Sequence, residues 1–239
     1  MIERRAALSS QEFDRYRIEG RPVILSDIGV PWTAFDRWNP SYLQERCGDA
    51  TVQVFLDRNS DPNYETNYDA HRKDIMFRDY VDRVINNPES NDVYVHAQNG
   101  FMMTEAGKRL LSDIVPLAYL DPLVMHGNTF FWFGPAGTVT PLHHDECDII
   151  FVQVYGRKQW TLISPRQKHL VYNNIAVFSE VNAETPDLDR HPLFRFSYAS
   201  KFVLNPREAL FLPVGWWHHV RALDVSISMS FTNFANHAR

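Results

Sequence analysis

The segment Ile149-Ile150-Phe151-Val152-Gln153-Val154-Tyr155, then Gly156-Arg157, then Lys158-Gln159-Trp160-Thr161-Leu162-Ile163, decides the fold. From Asp148 to Tyr155 the chain is apolar, β-branched and aromatic, the composition of a buried strand. Gly156-Arg157 reads as a tight turn, and Lys158 opens the returning strand Gln159–Ile163. The same texture runs through the second half of the chain. Thr129–Phe133, Lys201–Leu204, Ala209–Leu212, His218–Ala222 and Val225–Phe231 are short strand-like runs separated by turn residues, and Ser164-Pro165 starts one short helix among them. Regularly spaced short strands of this kind build a sandwich or a barrel.

The first ninety residues mix helices and strands. Ser9 and Glu12 form a capping box ahead of a helix over 12–18. Asn39, Pro40 and Gly48 bracket a helix around 42–46. Thr51–Leu56 alternates as a strand does, and Pro22–Leu25 is a short apolar run of the same type. Helical spacing predicts a helix over 76–85 and another over 105–113 behind Thr104, while Asp92–Ala97 reads as a strand. The polar stretches Asp57–Lys73 and Asn173–Pro192 read as long loops. There is no repeat and no linker. The expectation is therefore one domain over 1–239, with an α/β elaboration over 1–90 and a β core over 91–235.

Bulk properties narrow the partners. The 239 residues carry a net charge of -5 with a pI near 6.0, and no basic block stands out, which argues against nucleic acid. Two cysteines, Cys47 and Cys147, make no disulfide framework and suit a reducing compartment. No apolar run follows the charged N-terminus, and none approaches the roughly 20 residues of a membrane span. These features predict a cytoplasmic chain, or a nuclear one in a eukaryote, with no membrane partner.

Chemistry concentrates in two motifs. In Thr140-Pro141-Leu142-His143-His144-Asp145, a strand would put His143 and Asp145 on one face and His144 on the other. A surface histidine beside a solvated aspartate gives the same spacing, so this motif alone decides little. In Leu212-Pro213-Val214-Gly215-Trp216-Trp217-His218-His219-Val220, a Pro-x-Gly turn leads into a strand that opens with two tryptophans and a histidine. A histidine buried among aromatic rings needs a partner for its nitrogens, and a metal is one. Two histidines and a carboxylate match the facial triad of non-haem iron, although zinc uses the same ligands. Lys158 bears on the choice. Facing inward it would need an anion beside it; as a hairpin-edge lysine it would face water.

These residues resemble the JmjC, or cupin-8, Fe(II)- and 2-oxoglutarate-dependent oxygenases, and in particular their protein hydroxylases. The resemblance rests on Thr140–Asp145, Gly156–Lys158 and Leu212–Val220, and extends to Arg21–Ile24, Trp32, Trp38, Tyr42-Leu43, Gly48, Phe131–Gly137 and Ser164-Pro165. It implies a mainly β fold, a double-stranded β-helix (jelly-roll or cupin) barrel. It implies iron held by His143, Asp145 and His218, the last because the family's ligand directly follows the second aromatic of this turn. It implies that Lys158, Thr140 and Tyr94 hold the far carboxylate of 2-oxoglutarate, with His96 pointing into the same cavity and Ser230 and Asn233 near a cosubstrate-binding position. Dioxygen is the other cosubstrate. One departure stands out: several family hydroxylases carry Asn four residues after the aspartate, where this chain has Ile149. His96 and Asn233 are the residues expected to compensate.

The resemblance further implies hydroxylation of an unactivated C–H on a protein or peptide side chain. N-methyl-lysine demethylation and small-molecule hydroxylation use the same chemistry, and homodimers occur in the family. Outside the family, a ligand-binding cupin without iron or a zinc hydrolase would use the same scaffold. The loop 57–73, with Tyr64 and Tyr68, is a candidate lid or substrate wall, or else a solvated surface loop.

Overall fold

The computed structural model describes residues 1–6, 8–125 and 127–235, so the expected C-terminal limit at 239 lies outside the described residues. The strands in chain order are β1 (Glu3–Arg5), β2 (Val23–Leu25), β3 (Thr51–Phe55), β4 (Arg72–Met76), β5 (Thr129–Gly134), β6 (Val139–His143), β7 (Ile149–Tyr155), β8 (Lys158–Ile163), β9 (Asn173–Ile175), β10 (Phe178–Ser179), β11 (Ala199–Leu204), β12 (Ala209–Leu212), β13 (Trp217–Ala222) and β14 (Ser226–Phe231). The helices are α1 (Ser10–Ile18), α2 (Ala34–Arg37), α3 (Pro40–Cys47), α4 (Tyr68–His71), α5 (Phe77–Asn86) and α6 (Glu105–Leu110).

Two six-stranded sheets carry the fold, one in the order β1-β2-β12-β7-β14-β5 and the other β11-β8-β13-β6-β10-β9. Both belong to a cupin-like jelly-roll sandwich. The barrel expected from the sequence does not close: among the described residues no named strand of one sheet pairs with a strand of the other. The hairpin reading of 149–163 changes for the same reason. β7 pairs with β12 and β14, whereas β8 pairs with β11 and β13, so Gly156-Arg157 crosses from sheet to sheet. That corner is tight. Gly156 sits at φ +66°, and a Cβ there would lie 2.1 Å from the Val225 carbonyl oxygen. Gln153, buried beside it, donates to the Tyr155 and Gly156 carbonyls at 2.8 and 3.0 Å and accepts from Ser228 Oγ at 3.0 Å.

Strand alternation sorts the core into layers. On β7, Ile150, Val152 and Val154 join Phe13, Leu43, Phe77, Phe131 and Phe211 in the large core under the helices. The opposite face sends Phe151, with Ile24, Leu210 and Leu212, against Trp160, Leu162, Leu204 and Val220 of the other sheet. Each such side chain stabilises the fold by roughly 1.5–3 kcal/mol on burial. A third cluster lies outside the second sheet, where Leu142, Ile163 and Trp217 are covered by Val171, Val181 and Phe194.

The N-terminal elements form as their caps dictate. Ser9 closes the expected capping box with Glu12, and Asn39 caps α3 with Pro40 in its first turn. β1 and β2 extend the first sheet through β12, so they are part of the sandwich. The expected helix over 105–113 turns into a 3-10 segment at Leu111–Asp113. That change places the buried Asp113 carboxylate where Trp38, Tyr42, Thr33 and Arg37 all donate to it, at 2.7–3.1 Å. The two long loops are more ordered than their composition suggests. The first holds α4 and the start of β4, and the second holds β9 and β10. Conversely, 92–97 makes only single bridges, Tyr94 to Phe55 and Val95 to Phe133, instead of a strand.

Candidate metal centre

His143 ends β6 and His218 lies on β13, directly opposite each other in antiparallel register. Their ring centroids are 4.0 Å apart. Each Nδ1 is within hydrogen-bond reach of the carbonyl two residues back, His143 to Pro141 at 2.8 Å and His218 to Trp216 at 3.0 Å. With Nδ1–H donating there, each Nε2 lone pair is left free for a ligand. Asp145 completes the group: its Oδ2 is 3.4 Å from His218 Nε2 and its Oδ1 4.0 Å from His143 Nε2. One donor atom from each residue falls within 4.8 Å of the others. Burial, reinforced by the neighbouring His143, pushes His218 down to about 3, so its imidazole is neutral at physiological pH. Two imidazoles and one carboxylate, converging on one point, fit a divalent iron site.

Asp145 reaches this point by a route the alternation argument did not foresee. β6 stops at His143, so Asp145 is carried by the turn beyond the strand. That turn is fastened to the Pro-x-Gly turn before β13. Gly215 N–H donates to the Asp145 carbonyl at 3.0 Å, and Val214 N–H to Asp148 Oδ1 at 2.9 Å. His144 does point away, packing edge-on against Trp217 at 4.7 Å. His219 also points away, toward Glu184, and burial pushes it down to about 4 despite that carboxylate.

The three residues border a cavity of about 380 Å³ whose wall also includes Thr140, Lys158, Tyr94, His96 and Ser230. Lys158 is 2% exposed, which overturns the water-facing alternative for it. The reason is the sheet crossing: β8 lies between β11 and β13, and its inward face carries Lys158, Trp160 and Leu162. Lys158 Nζ donates to Tyr94 Oη at 3.2 Å and otherwise meets the rings of Phe151, Tyr94 and Trp132 at 5.1–5.7 Å. Burial pushes its ammonium down to about 7. Burial likewise pushes the Tyr94 hydroxyl well up, against a hydrogen bond with Thr140.

The remaining expected residues separate. Ser230 Oγ accepts from Trp132 Nε1 at 2.8 Å inside the cavity. His96 lies among Phe55, Tyr94 and Trp132, and burial lowers its pKa. Asn233 follows the end of β14, is outside the cavity lining, and spends its amide on the Asp121 carbonyl at 2.8 Å. Thr232 lines the cavity instead, as does Ile149. Trp160 and Glu65 are among the lining residues that escaped the sequence reading. Trp160 was findable, two residues from Lys158 on the same strand face, and its ring stacks on His218 at 5.8 Å. Glu65 was not, because no periodicity marks it.

Glu65 belongs to the loop between β3 and α4, and that loop is pinned. Arg58, 2% exposed, donates to Glu65 Oε1 at 2.9 Å, to the Val139 carbonyl at 2.7 Å and to Asn91 Oδ1 at 3.1 Å. Its guanidinium lies 4.2 Å from the Tyr64 ring centroid and 5.3 Å from that of Tyr94. Glu65 and Phe178 border the metal cavity and also a second cavity of about 530 Å³ that holds the Glu184–Arg221 pair.

Residues 9–236 match the family model described as a Cupin-like domain. The chain is 29% identical over 229 residues to "Lysine-specific demethylase 8" of Xenopus tropicalis, which covers 91% of this chain and 49% of that protein. It is 31% identical over 245 residues to "Lysine-specific demethylase JMJ30" of Arabidopsis thaliana, covering 96% and 54%. With "HSPB1-associated protein 1" of Homo sapiens the identity is 27% over 231 residues, covering 88% and 47%. The chain thus spans about half the length of the curated relatives it matches. Among the described residues no helix is long and apolar enough to cross a membrane.

Proposed function

The chain belongs to the Cupin-like, JmjC-type oxygenase family, and from that premise we propose that it is an Fe(II)- and 2-oxoglutarate-dependent oxygenase acting on a protein or peptide side chain. The observation that carries this reading is Lys158. A buried lysine with one hydroxyl partner and no carboxylate beside it among the described residues calls for an anionic ligand, and it shares its cavity with the His143–Asp145–His218 group. A zinc hydrolase needs no 2-oxoglutarate pocket, so the buried lysine favours the oxygenase over it.

Iron bound with 2-oxoglutarate and dioxygen would supply oxidising chemistry able to hydroxylate an unactivated C–H. The protein's own residues supply the rest. His143 and His218 offer Nε2 lone pairs, oriented by the carbonyls of Pro141 and Trp216, and Asp145 supplies the negative charge. Lys158, with Tyr94 and Thr140 behind it, receives the far carboxylate of the cosubstrate and regains its proton in doing so. Phe151, Trp132 and Trp160 keep that end of the cavity dry, which strengthens the ion pair. Hydroxylation of a side chain is the first reading. Demethylation of N-methyl-lysine, the activity named for two of the relatives above, is the second, since hydroxylating an N-methyl group releases formaldehyde.

The test is anaerobic titration of metal-free protein with Fe(II) and 2-oxoglutarate, reading the visible charge-transfer band. The band is expected in the native protein and not in His143→Ala, with conversion to succinate when oxygen is admitted. A folded native protein that gives no band would end the oxygenase reading.

A further inference from the structure

We propose that Glu65 is a specificity-determining residue of this site, presenting one carboxylate oxygen to the metal cavity and selecting a substrate side chain that brings a positive charge with N–H donors. The inference rests on the oxygenase reading and deepens it. Glu65 lines the cavity while its Oε1 is held by Arg58 at 2.9 Å. Its Oε2 is left 3.9 Å from His96 Nε2, beyond hydrogen-bond reach.

Arg58 does not cancel this charge as seen from the cavity. Its donors are committed to Glu65, Val139 and Asn91, it lies beside the Tyr64 and Tyr94 rings, and it is not part of the cavity wall. The pair is therefore a dipole with its negative end toward the void. The cavity is polarised as a whole: Lys158 offers a cation for the cosubstrate, and Glu65 offers an anion at the border with the second cavity. Asp145 is taken up by the metal group, so Glu65 is the carboxylate left among the cavity-lining residues to meet a substrate. The neighbouring rings of Phe55, Tyr68 and Phe178 suit the aliphatic stem and cationic head of such a side chain.

The experiment uses Mn(II)-loaded protein with 2-oxoglutarate and reads paramagnetic broadening of peptide protons by NMR. The probes are N-acetylated, C-amidated pentaglycines whose central residue is replaced by arginine, lysine, asparagine, leucine or glutamate. The arginine and lysine probes are expected to bind on the order of tenfold more tightly than the leucine and glutamate probes, and to lose that advantage as salt rises. Glu65→Gln keeps an oxygen for Arg58 and is expected to remove the preference. The ranking in native protein stands as a test even if that variant fails to fold. Equal broadening across the set, no broadening by any probe, or a cationic preference that survives in folded Glu65→Gln overturns the proposal. Failure of the oxygenase reading shows earlier and separately, as water relaxation by Mn(II) that the protein leaves at its free-ion value and no response to 2-oxoglutarate before any peptide is added.

Discussion

Replacing Lys158 by Met should stabilise the ligand-free protein and cripple its binding of 2-oxoglutarate. Burial lowers this lysine from an ordinary 10.5 to about 7. At about 1.4 kcal/mol per tenfold, holding the ammonium there costs on the order of 5 kcal/mol relative to water. The direction with pH follows from proton counting. Between pH 7 and 10.5 the unfolded chain holds a proton on Lys158 that the folded chain has released, so native stability climbs with pH across that window. Above 10.5 both states are neutral and the penalty vanishes; below about 7 both are charged and it is fully present. Met fills a similar volume without the charge. Lys158→Met should therefore unfold at higher urea than native protein at pH 7.5, with the difference fading by pH 10.5. Cosubstrate binding should respond in the opposite sense. Losing a charge-assisted bond of about 2–3 kcal/mol weakens 2-oxoglutarate roughly 30- to 150-fold. Urea melts across the pH range and calorimetric titration of metal-loaded protein measure both. A variant less stable than native at pH 7.5, or one with native 2-oxoglutarate affinity, would refute the assignment of Lys158 as a buried lysine that an anion recharges.

Tyr94→Phe removes the hydroxyl partner of Lys158 and should weaken 2-oxoglutarate about three- to tenfold by the same calorimetry, with metal affinity unchanged. Asp113→Ala strands the donors of Trp38, Tyr42 and Thr33 and should cost about 2–3 kcal/mol in urea melts. Burial alone would raise the Asp113 carboxyl, but those donors and Arg37 together hold it below its ordinary 3.8, so its contribution is fully present above that pH and is lost as acid takes the carboxylate through its folded value. Gly156→Ala puts a Cβ 2.1 Å from the Val225 carbonyl at a positive φ, and should lower stability by more than about 2 kcal/mol; a neutral effect would mean the sheet-crossing corner has slack.

What the sequence reveals and what it conceals divide along the reach of each interaction. Caps, strand runs and the two histidine motifs are local, and Ser9, Asn39, Ile149–Tyr155 and His218 were legible for that reason. Pairing is not local. Nothing in Tyr155-Gly156-Arg157-Lys158 says that β7 will bond to 209–212 and 226–231 while β8 bonds to 199–204 and 217–222. The orientation of Lys158 hangs on that choice, since a two-stranded hairpin would let it face water and a sheet-to-sheet corner turns it inward. The end of a strand sets a similar limit. Ser230, inside β14, keeps the alternation and reaches the cavity, whereas Asn233, two residues past its end, does not. Asp145 lies beyond a strand end too, yet it converges with the histidines because Gly215 and Val214 bind its turn from the far side of the chain. Glu65 is the extreme case. Its place depends on Arg58, which depends on carbonyl and amide oxygens of Val139 and Asn91, contacts with no counterpart in periodicity or spacing. A loop can therefore look solvated in composition and still be fixed. One buried guanidinium held by a carboxylate, a carbonyl and an amide oxygen resists withdrawal, because moving the loop would leave a charge in a nonpolar interior. For the specificity proposed for Glu65 this pinning matters, because a mobile lid would discriminate between side chains only after first paying the entropy of its own ordering.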